Sequence, residues 1–347
     1  MKDQFTGSDV NQIEPLSLSH IKGQPQVTDT LDTLLRGYSN TRFTNDCKDL
    51  TFGPVCLAGP PGTGKSLVAK AIHGALGNLR LHQTNGDALN KRPEFCAAML
   101  HADENTTVFI DEAQGMNAST QHNLLTAISE RFLPISADPA NSASLSFHIP
   151  LKPFTLILAT THEHVLQEAL RNRMRVYCRF EYYSAADLTE IVRQRADALG
   201  WLYESPELLR IIAERARGTA RQALNRNLET CWQVAQSHDR DVITRTDVEE
   251  AFRLMQIDEC GLEEIDRRYL RALSGLDGAT LGLLSAKLGL PPRTIQYVIE
   301  PYLIREGLIS KGKSSTRMLT ERGRDHLTTS ACVGEPRRAA YEYVTKP

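Results

Sequence analysis

Gly59-Pro60-Pro61-Gly62-Thr63-Gly64-Lys65-Ser66 carries the most specific chemistry in this sequence. It fits the pattern G-x-x-x-x-G-K-[ST] at every fixed position. Glycines at those places let successive backbone N–H groups turn inward onto phosphate oxygens. Lys65 brings a positive charge to the β- and γ-phosphates, and the Ser66 hydroxyl is a ligand for Mg²⁺. The segment from Leu67 to Leu76 reads as a helix whose N-terminus favours the same anion. The expected ligands are therefore ATP and Mg²⁺, held by Gly59, Pro60, Pro61, Gly62, Thr63, Gly64, Lys65 and Ser66.

Further groups fit the same chemistry. Val108-Phe109-Ile110 ends in Asp111-Glu112, where Asp111 can hold a water on the metal and Glu112 can polarise the attacking water. Thr160 and Thr161 close a later apolar run. One of these hydroxyls, Thr161 by preference, can sense the γ-phosphate or position the water. Nothing local in Leu170-Arg171-Asn172-Arg173-Met174 gives Arg171 or Arg173 a role in their own subunit, and they also read as a surface pair at a helix end. An arginine supplied across an interface stabilises charge on a transferring phosphoryl group. Arg221, following Arg217-Gly218-Thr219-Ala220, starts a helix that could reach the nucleotide.

These groups need a scaffold that brings distant strand ends together. Pro54–Ala58, Val108–Ile110 and Thr155–Ala159 are short apolar runs flanked by helical patterns, which is how a parallel sheet buried on both faces reads. Phe132 to Ile149 reads as a polar hairpin, with Asp138-Pro139 and Asn141-Ser142 in its middle. From about Glu181 to Gln256 the pattern is helical, and four short helices are expected. Ser184 with Asp187, and Thr246 with Glu249, look like capping-box starts. From about Gly261 to Leu327, helical patterns at Asp266–Leu273, Thr280–Leu288 and Arg293–Glu306 precede a short ribbon containing Gly312 to Ser315. Three helices and a ribbon suggest a winged helix-turn-helix. The expected division is 1–181, 182–257 and 258–330, followed by a poorly ordered tail at 331–347.

Composition narrows the class. The chain has 347 residues, 41% hydrophobic and 24% charged, as in ordinary globular proteins of two or three domains. It lacks an apolar run of spanning length, and its polar start does not resemble a secretory signal. Seven scattered cysteines include no C-x-x-C pair, which argues against a zinc site or a disulfide framework. The expected location is the cytoplasm. Net charge is −2, too low for a surface that coats DNA throughout. Residues 311–347, however, carry eight Lys/Arg against four Asp/Glu. A basic end on an acidic body fits local DNA contact, and Lys311, Lys313 and Arg317 on the wing are the candidate phosphate contacts.

From about Leu16 to Leu327 the chain resembles the RuvB-type Holliday-junction branch-migration ATPases of the AAA+ class. The resemblance rests on His20-Ile21-Lys22-Gly23-Gln24, the Gly59–Ser66 loop, Phe109-Ile110-Asp111-Glu112 and Phe154 to Thr161. Further on it rests on Arg217-Gly218-Thr219 with Arg221, Gly261-Leu262-Glu263 with Asp266-Arg267, and Thr294-Ile295 with Val298 to Ile304. It implies an α/β fold: an AAA+ P-loop core with a parallel sheet, a helical lid and a C-terminal winged helix. It also implies a hexameric ring around duplex DNA, ATP at subunit interfaces, and hydrolysis that drives DNA through the ring. Ile21 and Arg221 would join the nucleotide-binding set, and Arg173 would be the arginine finger. The hairpin at 132–149 would dock on a RuvA-like junction-binding protein.

Several positions depart from that pattern. Ala113-Gln114-Gly115 stands where Ile-His-Arg is usual after the Asp-Glu pair. Thr63, Ser66, Asn172, Met174 and Ala220 also differ from the usual residues. The wing lacks the usual Thr-Pro-Arg-Gly-Arg, and the hairpin differs most. A non-translocating ATP switch that binds DNA or a protein through its winged helix is therefore a second reading, and a clamp-loader-like remodelling subunit a third.

Overall fold

The structure is a computed structural model and describes residues 10–11, 17–44, 50–136, 146–312 and 315–331. Its contacts divide the chain into two compact units, Met1–Val248 and Glu249–Pro347.

The first unit is built on five parallel strands in the order β2-β3-β6-β1-β7. They are β1 (Val55–Ala58), β2 (Arg80–Asn85), β3 (Thr106–Asp111), β6 (Thr155–Thr160) and β7 (Val176–Arg179). Between β3 and β6 in the chain lies an antiparallel hairpin of β4 (Phe132–Ser136) and β5 (Ser146–Pro150). Helices α1 (Pro25–Thr44), α2 (Lys65–Leu76), α3 (Arg92–Leu100), α4 (Ala118–Glu130) and the short α5 (Glu168–Arg171) complete this part.

The three apolar runs are the three central strands because each side chain on them has a buried face to meet. Cys56, Ala58, Val108, Ile110, Leu156 and Leu158 join one apolar cluster with Phe95, Met99 and Leu124 of α3 and α4. Their neighbours Val55, Leu57, Phe109, Ile157 and Ala159 join another with Leu31, Val68 and Ile72 of α1 and α2. Successive side chains of a strand point to opposite faces, so a sheet covered on both sides needs continuous apolar runs. The sequence runs did not reveal β2 or β7. β2, Arg-Leu-His-Gln-Thr-Asn, lies at the sheet edge and exposes most of its residues, so it carries no apolar run.

Four helical stretches follow: α6 (Ala185–Leu199), α7 (Pro206–Glu214), a run from α8 (Ala220–Gln222) through a π-helical turn at Ala223–Leu228 to α9 (Glu229–Ser237), and α10 (Arg245–Met255). Two-residue strands β8 (Leu202–Tyr203) and β9 (Val242–Ile243) pair in parallel among them. Ser184 caps α6 as expected, its hydroxyl accepting the Asp187 N–H at 3.1 Å. The Thr246–Glu249 start is corrected. Asp247, fully buried, accepts the Thr244 N–H at 2.9 Å and the Thr244 hydroxyl at 2.6 Å. The helix therefore starts at Arg245.

The second unit holds α11 (Glu264–Ser274), α12 (Leu281–Leu288), α13 (Pro292–Thr294), a π-helical turn at Ile295–Ile299 and α14 (Glu300–Arg305). An antiparallel ribbon of β10 (Ile309–Lys311) and β11 (Arg317–Leu319) follows, then α15 (Glu321–Ala331). This is a winged helix with its own apolar cluster, centred on Tyr269, Leu270, Leu284, Ile295 and Leu303. The last helix is a fourth, beyond the three expected, and it carries regular structure past Leu327. The remainder of the expected tail, 332–347, lies outside the described residues, as does the hairpin tip with Asp138-Pro139 and Asn141-Ser142. Among the described residues no helix is long and apolar enough to cross a membrane.

Candidate nucleotide site

The phosphate loop leaves the C-terminal end of β1, a strand with β6 on one side and β7 on the other. Such a switch point is where open α/β sheets bind ligands. A Cβ at Gly59 would lie 2.5 Å from the Phe180 carbonyl oxygen, so only glycine lets the loop pass β7 here. Gly64 has φ 92° and immediately precedes α2, turning the chain so that the helix begins at Lys65. Thr63 is fully buried, and its hydroxyl donates to the Pro60 carbonyl at 2.8 Å. The Tyr183 hydroxyl then donates to the Thr63 carbonyl at 2.7 Å from 120 residues away. Gly23 packs so close to the Tyr183 ring that an added Cβ would clash, and the Gln24 amide donates to the Glu181 carbonyl at 2.9 Å. Neither Tyr183 nor this brace was singled out from the sequence, because a lone tyrosine carries no motif.

The ammonium of Lys65 donates to the carbonyls of Gly59 and Pro60, each at 2.7 Å. Burial lowers its pKa, and the facing carboxylates Glu112 and Asp111 oppose that shift. The Ser66 hydroxyl donates to Asp111 Oδ2 at 2.9 Å, which joins the loop to the end of β3. Glu112 follows with φ 45° and ψ 50°, a left-handed conformation that is uncommon for a glutamate. Glu112 lines a cleft there with Gln83, Thr84, Asn85 and Asp111.

The sensor-like threonines sit beside the Glu112 carboxylate. The Thr161 hydroxyl lies 3.2 Å from Glu112 Oε2 and 2.9 Å from His162 Nδ1. The buried Thr160 hydroxyl instead donates to Gln114 Oε1 at 2.7 Å. Gln114 was noted in the sequence only as a departure, yet it touches Glu112, Thr160 and Thr161. Arg221 meets the loop from the helical region, its N–H donating to the Gly62 carbonyl at 3.3 Å. Ile21 is half-buried against the cluster that contains Val68 and Phe180. The fold thus gathers the loop, Asp111, Glu112, Thr161 and Arg221.

Two groups stay outside that gathering. Arg173 is exposed, and its guanidinium donates to Ser129 of α4 at 2.7 Å rather than to the phosphate loop. The Arg171 Nε is buried without a hydrogen-bond partner. Near Arg171, Glu163 accepts from the Tyr177 hydroxyl at 2.6 Å, with Arg179 3.4 Å away. The Tyr177 hydrogen bond holds the Glu163 carboxyl below its usual range.

On the wing one expectation is corrected. Arg317 is buried, not a free phosphate contact: its Nε donates to the fully buried Glu300 at 2.8 Å. A carboxylate in an apolar core holds the nearest cation inward, because leaving either charge unpaired is costly. Lys311 Nζ is 3.3 Å from the same carboxylate but its side chain is 43% exposed, so it can still reach solvent. Lys313 lies outside the described residues.

Comparison with known proteins covers all three segments. Residues 13–180 match the Holliday junction DNA helicase RuvB P-loop domain, 183–258 the RuvB AAA lid domain, and 259–328 the RuvB C-terminal winged helix domain. The chain belongs to the RuvB family. A Holliday junction branch migration complex subunit RuvB from Fervidobacterium nodosum is 32% identical over 332 residues, 95% of this chain and 92% of that protein. One of that description from Streptococcus equi subsp. zooepidemicus is 33% identical, covering 92% and 94%. The solved Thermotoga maritima RuvB Holliday junction branch migration motor superposes with TM-score 0.74 at 28% identity, over 91% of this chain and 98% of that one. The fold is thus the α/β AAA+ arrangement with lid and winged helix expected of this family.

The residues fit a magnesium nucleotide. Among the described residues no three His, Cys, Asp or Glu side chains cluster as a metal cage. Ser66 and Asp111 instead offer two adjacent oxygens. Mg²⁺ commonly takes one or two protein oxygens and fills the remainder with phosphate and water.

Proposed function

We propose that this RuvB-family chain is an ATP-driven motor on duplex DNA that hydrolyses ATP at subunit interfaces to move a four-way junction. The observation that carries it is the convergence of Lys65, the Ser66–Asp111 pair, Glu112 and Thr161 at adjacent strand ends. The phosphate loop N–H groups and Lys65 bind the β- and γ-phosphates of ATP. Mg²⁺, when bound, draws on Ser66 and Asp111 and offsets phosphate charge. Glu112 accepts a hydrogen bond from the attacking water, whose oxygen bonds to the γ-phosphorus while the bond to the β,γ-bridging oxygen breaks. Thr161 and Arg221 read the state of the nucleotide from the strand end and the lid.

Arg173 serves a neighbouring subunit's ATP, a role supported by its exposure and by its lack of any bond to its own loop. A site completed in trans requires head-to-tail contact between subunits, and the assembly proposed for it is the hexameric ring that the family resemblance implies. The hairpin at 132–149 is the docking element for a RuvA-like junction-binding protein; Phe147 on its β5 strand is 59% exposed. DNA phosphates meet Lys311 and Arg293, both exposed on the winged helix. The working location is the cytoplasm, and the division at 181/182 and 257/258 separates ATPase core, lid and winged helix.

The test is branch migration of a synthetic four-way junction by the full chain with Mg²⁺ and ATP, with and without a RuvA-type protein. Nucleotide-dependent migration is the expected result. Hydrolysis without migration under both conditions would favour a switch that holds DNA without moving it.

A further inference from the structure

Gln114 sits two residues beyond Glu112, in a turn fixed from several sides. Gly115 N–H donates to the Glu112 carbonyl at 2.9 Å, and the Asn90 amide donates to the Gly115 carbonyl at 2.8 Å. A Cβ at Gly115 would come within 2.7 Å of Asp87 Oδ1, so the turn passes Asp87 too closely for a side chain at this position. From this base the Gln114 amide makes four contacts. Its Nε2 donates to Glu112 Oε2 and, at 2.9 Å, to the Thr161 hydroxyl. Its Oε1 accepts from the Thr160 hydroxyl at 2.7 Å and from the Thr161 N–H at 3.3 Å.

These contacts use both donors and both lone pairs of the amide. They also fix which end is which. A flipped amide would set its oxygen against the Glu112 carboxylate and its N–H₂ against the Thr161 N–H, two repulsive pairings. Glu112 Oε2 is thereby occupied by two neutral donors, Gln114 and Thr161. Neither of these bonds uses Oε1.

We propose that Gln114 is a positioning residue for hydrolysis. It clamps one carboxylate oxygen of Glu112, presents the other to the attacking water, and ties that orientation to the strand end carrying Thr160 and Thr161. The amide does this as a neutral donor that has no proton of its own to give up to Glu112. Gln114 touches neither substrate nor reacting atoms in this arrangement, and the proposal rests on the reading of Glu112 as the water-polarising group.

The experiment uses the full chain, Mg²⁺ and ATP, with Gln114→Leu, Gln114→His, Thr161→Val, Glu112→Gln and the Gln114→Leu/Thr161→Val double variant. Misplacing a reacting group by about 1 Å can cost roughly a hundredfold in rate. Gln114→Leu is therefore expected to lower kcat by about 10- to 100-fold, with ATP affinity within about twofold and an unchanged thermal midpoint without nucleotide. Gln114→His, which can restore an N–H donor to Glu112, should recover part of kcat. Because one network joins them, Thr161→Val should cost less in the Gln114→Leu background than alone.

A Gln114→Leu protein with wild-type kcat, equal losses in affinity and turnover, or strictly additive variants would overturn the proposal. Should Gln114→Leu fail to fold, Gln114→His against wild type gives the same decision: wild-type affinity with reduced kcat supports it, and reduced affinity sinks it. Glu112→Gln separates the two layers. If that variant hydrolyses ATP normally, the reading of Glu112 falls and this proposal falls with it. If it is inactive while Gln114→Leu is unimpaired, only the role of Gln114 is lost.

Discussion

Arg317→Ala is expected to destabilise the winged helix rather than to weaken its grip on DNA. The Arg317 side chain is 6% exposed and that of Glu300 0%, with Nε 2.8 Å from Oε1 and Nη2 3.3 Å from Oε2. Removing the guanidinium leaves a buried carboxylate facing Lys311 at 3.3 Å and the Tyr269 hydroxyl at 3.2 Å. Breaking a buried pair from one side costs about 3–5 kcal/mol. Because two partners remain, the lower end applies, about 3 kcal/mol. In a unit of this size each kcal/mol shifts Tm by roughly 4–8 °C, so the transition should fall by roughly 12–24 °C. Lys311→Ala removes only the exposed member and should cost less than about 1 kcal/mol. It should instead flatten the slope of log DNA affinity against log salt by about 0.9 for each subunit that touches DNA. Calorimetry of the full chain and salt titrations below the lowered transition measure both effects. An Arg317→Ala protein with unchanged Tm and a flattened salt slope would refute the buried-pair argument and return Arg317 to the DNA surface.

Other expectations follow from the same geometry. Glu112→Gln should bind ATP near normally yet lose turnover, since the amide cannot accept the water's proton; equilibrium binding beside steady-state hydrolysis checks this. Mixing Arg173→Ala with Lys65→Ala subunits should restore some hydrolysis, because interfaces pairing an intact loop with an intact arginine then exist. A well-placed arginine finger is worth roughly a thousandfold or more, so absence of any recovery in mixed assemblies would move the role to cis. His326 is raised to about 9 by its hydrogen bonds to Asp258, 3.1 Å away, and then to Cys260. A folded-state pKa above the unfolded one gives stability that is complete below about pH 6.5 and lost as pH rises through about 9, at most about 3 kcal/mol. Denaturant midpoints should fall across that window, and His326→Gln should remove the fall; a flat profile in the wild type would contradict the pairing.

Much of the site was legible in the sequence because its chemistry is local. The Gly59–Ser66 loop works through consecutive backbone N–H groups, so the residue types and their spacing alone nearly specify it. The three central strands showed themselves as continuous apolar runs because helices cover both faces of the sheet. Asp111-Glu112 and Thr160-Thr161 were marked by closing those runs.

What only the tertiary structure decided depends on residues far apart in the chain. Tyr183 braces Thr63 across 120 positions, and Gln114 reaches Thr160 and Thr161 across 46 and 47. An edge strand such as β2 covers one side with solvent and leaves no pattern to read. Arg317 looked like a surface charge on a ribbon. Whether a charge faces water or a buried carboxylate is set by which distant side chain packs against it, and Glu300, 17 residues earlier, turned this one inward. Sequence spacing fixes what a backbone segment can do by itself; burial and pairing of single side chains are properties of the assembled core.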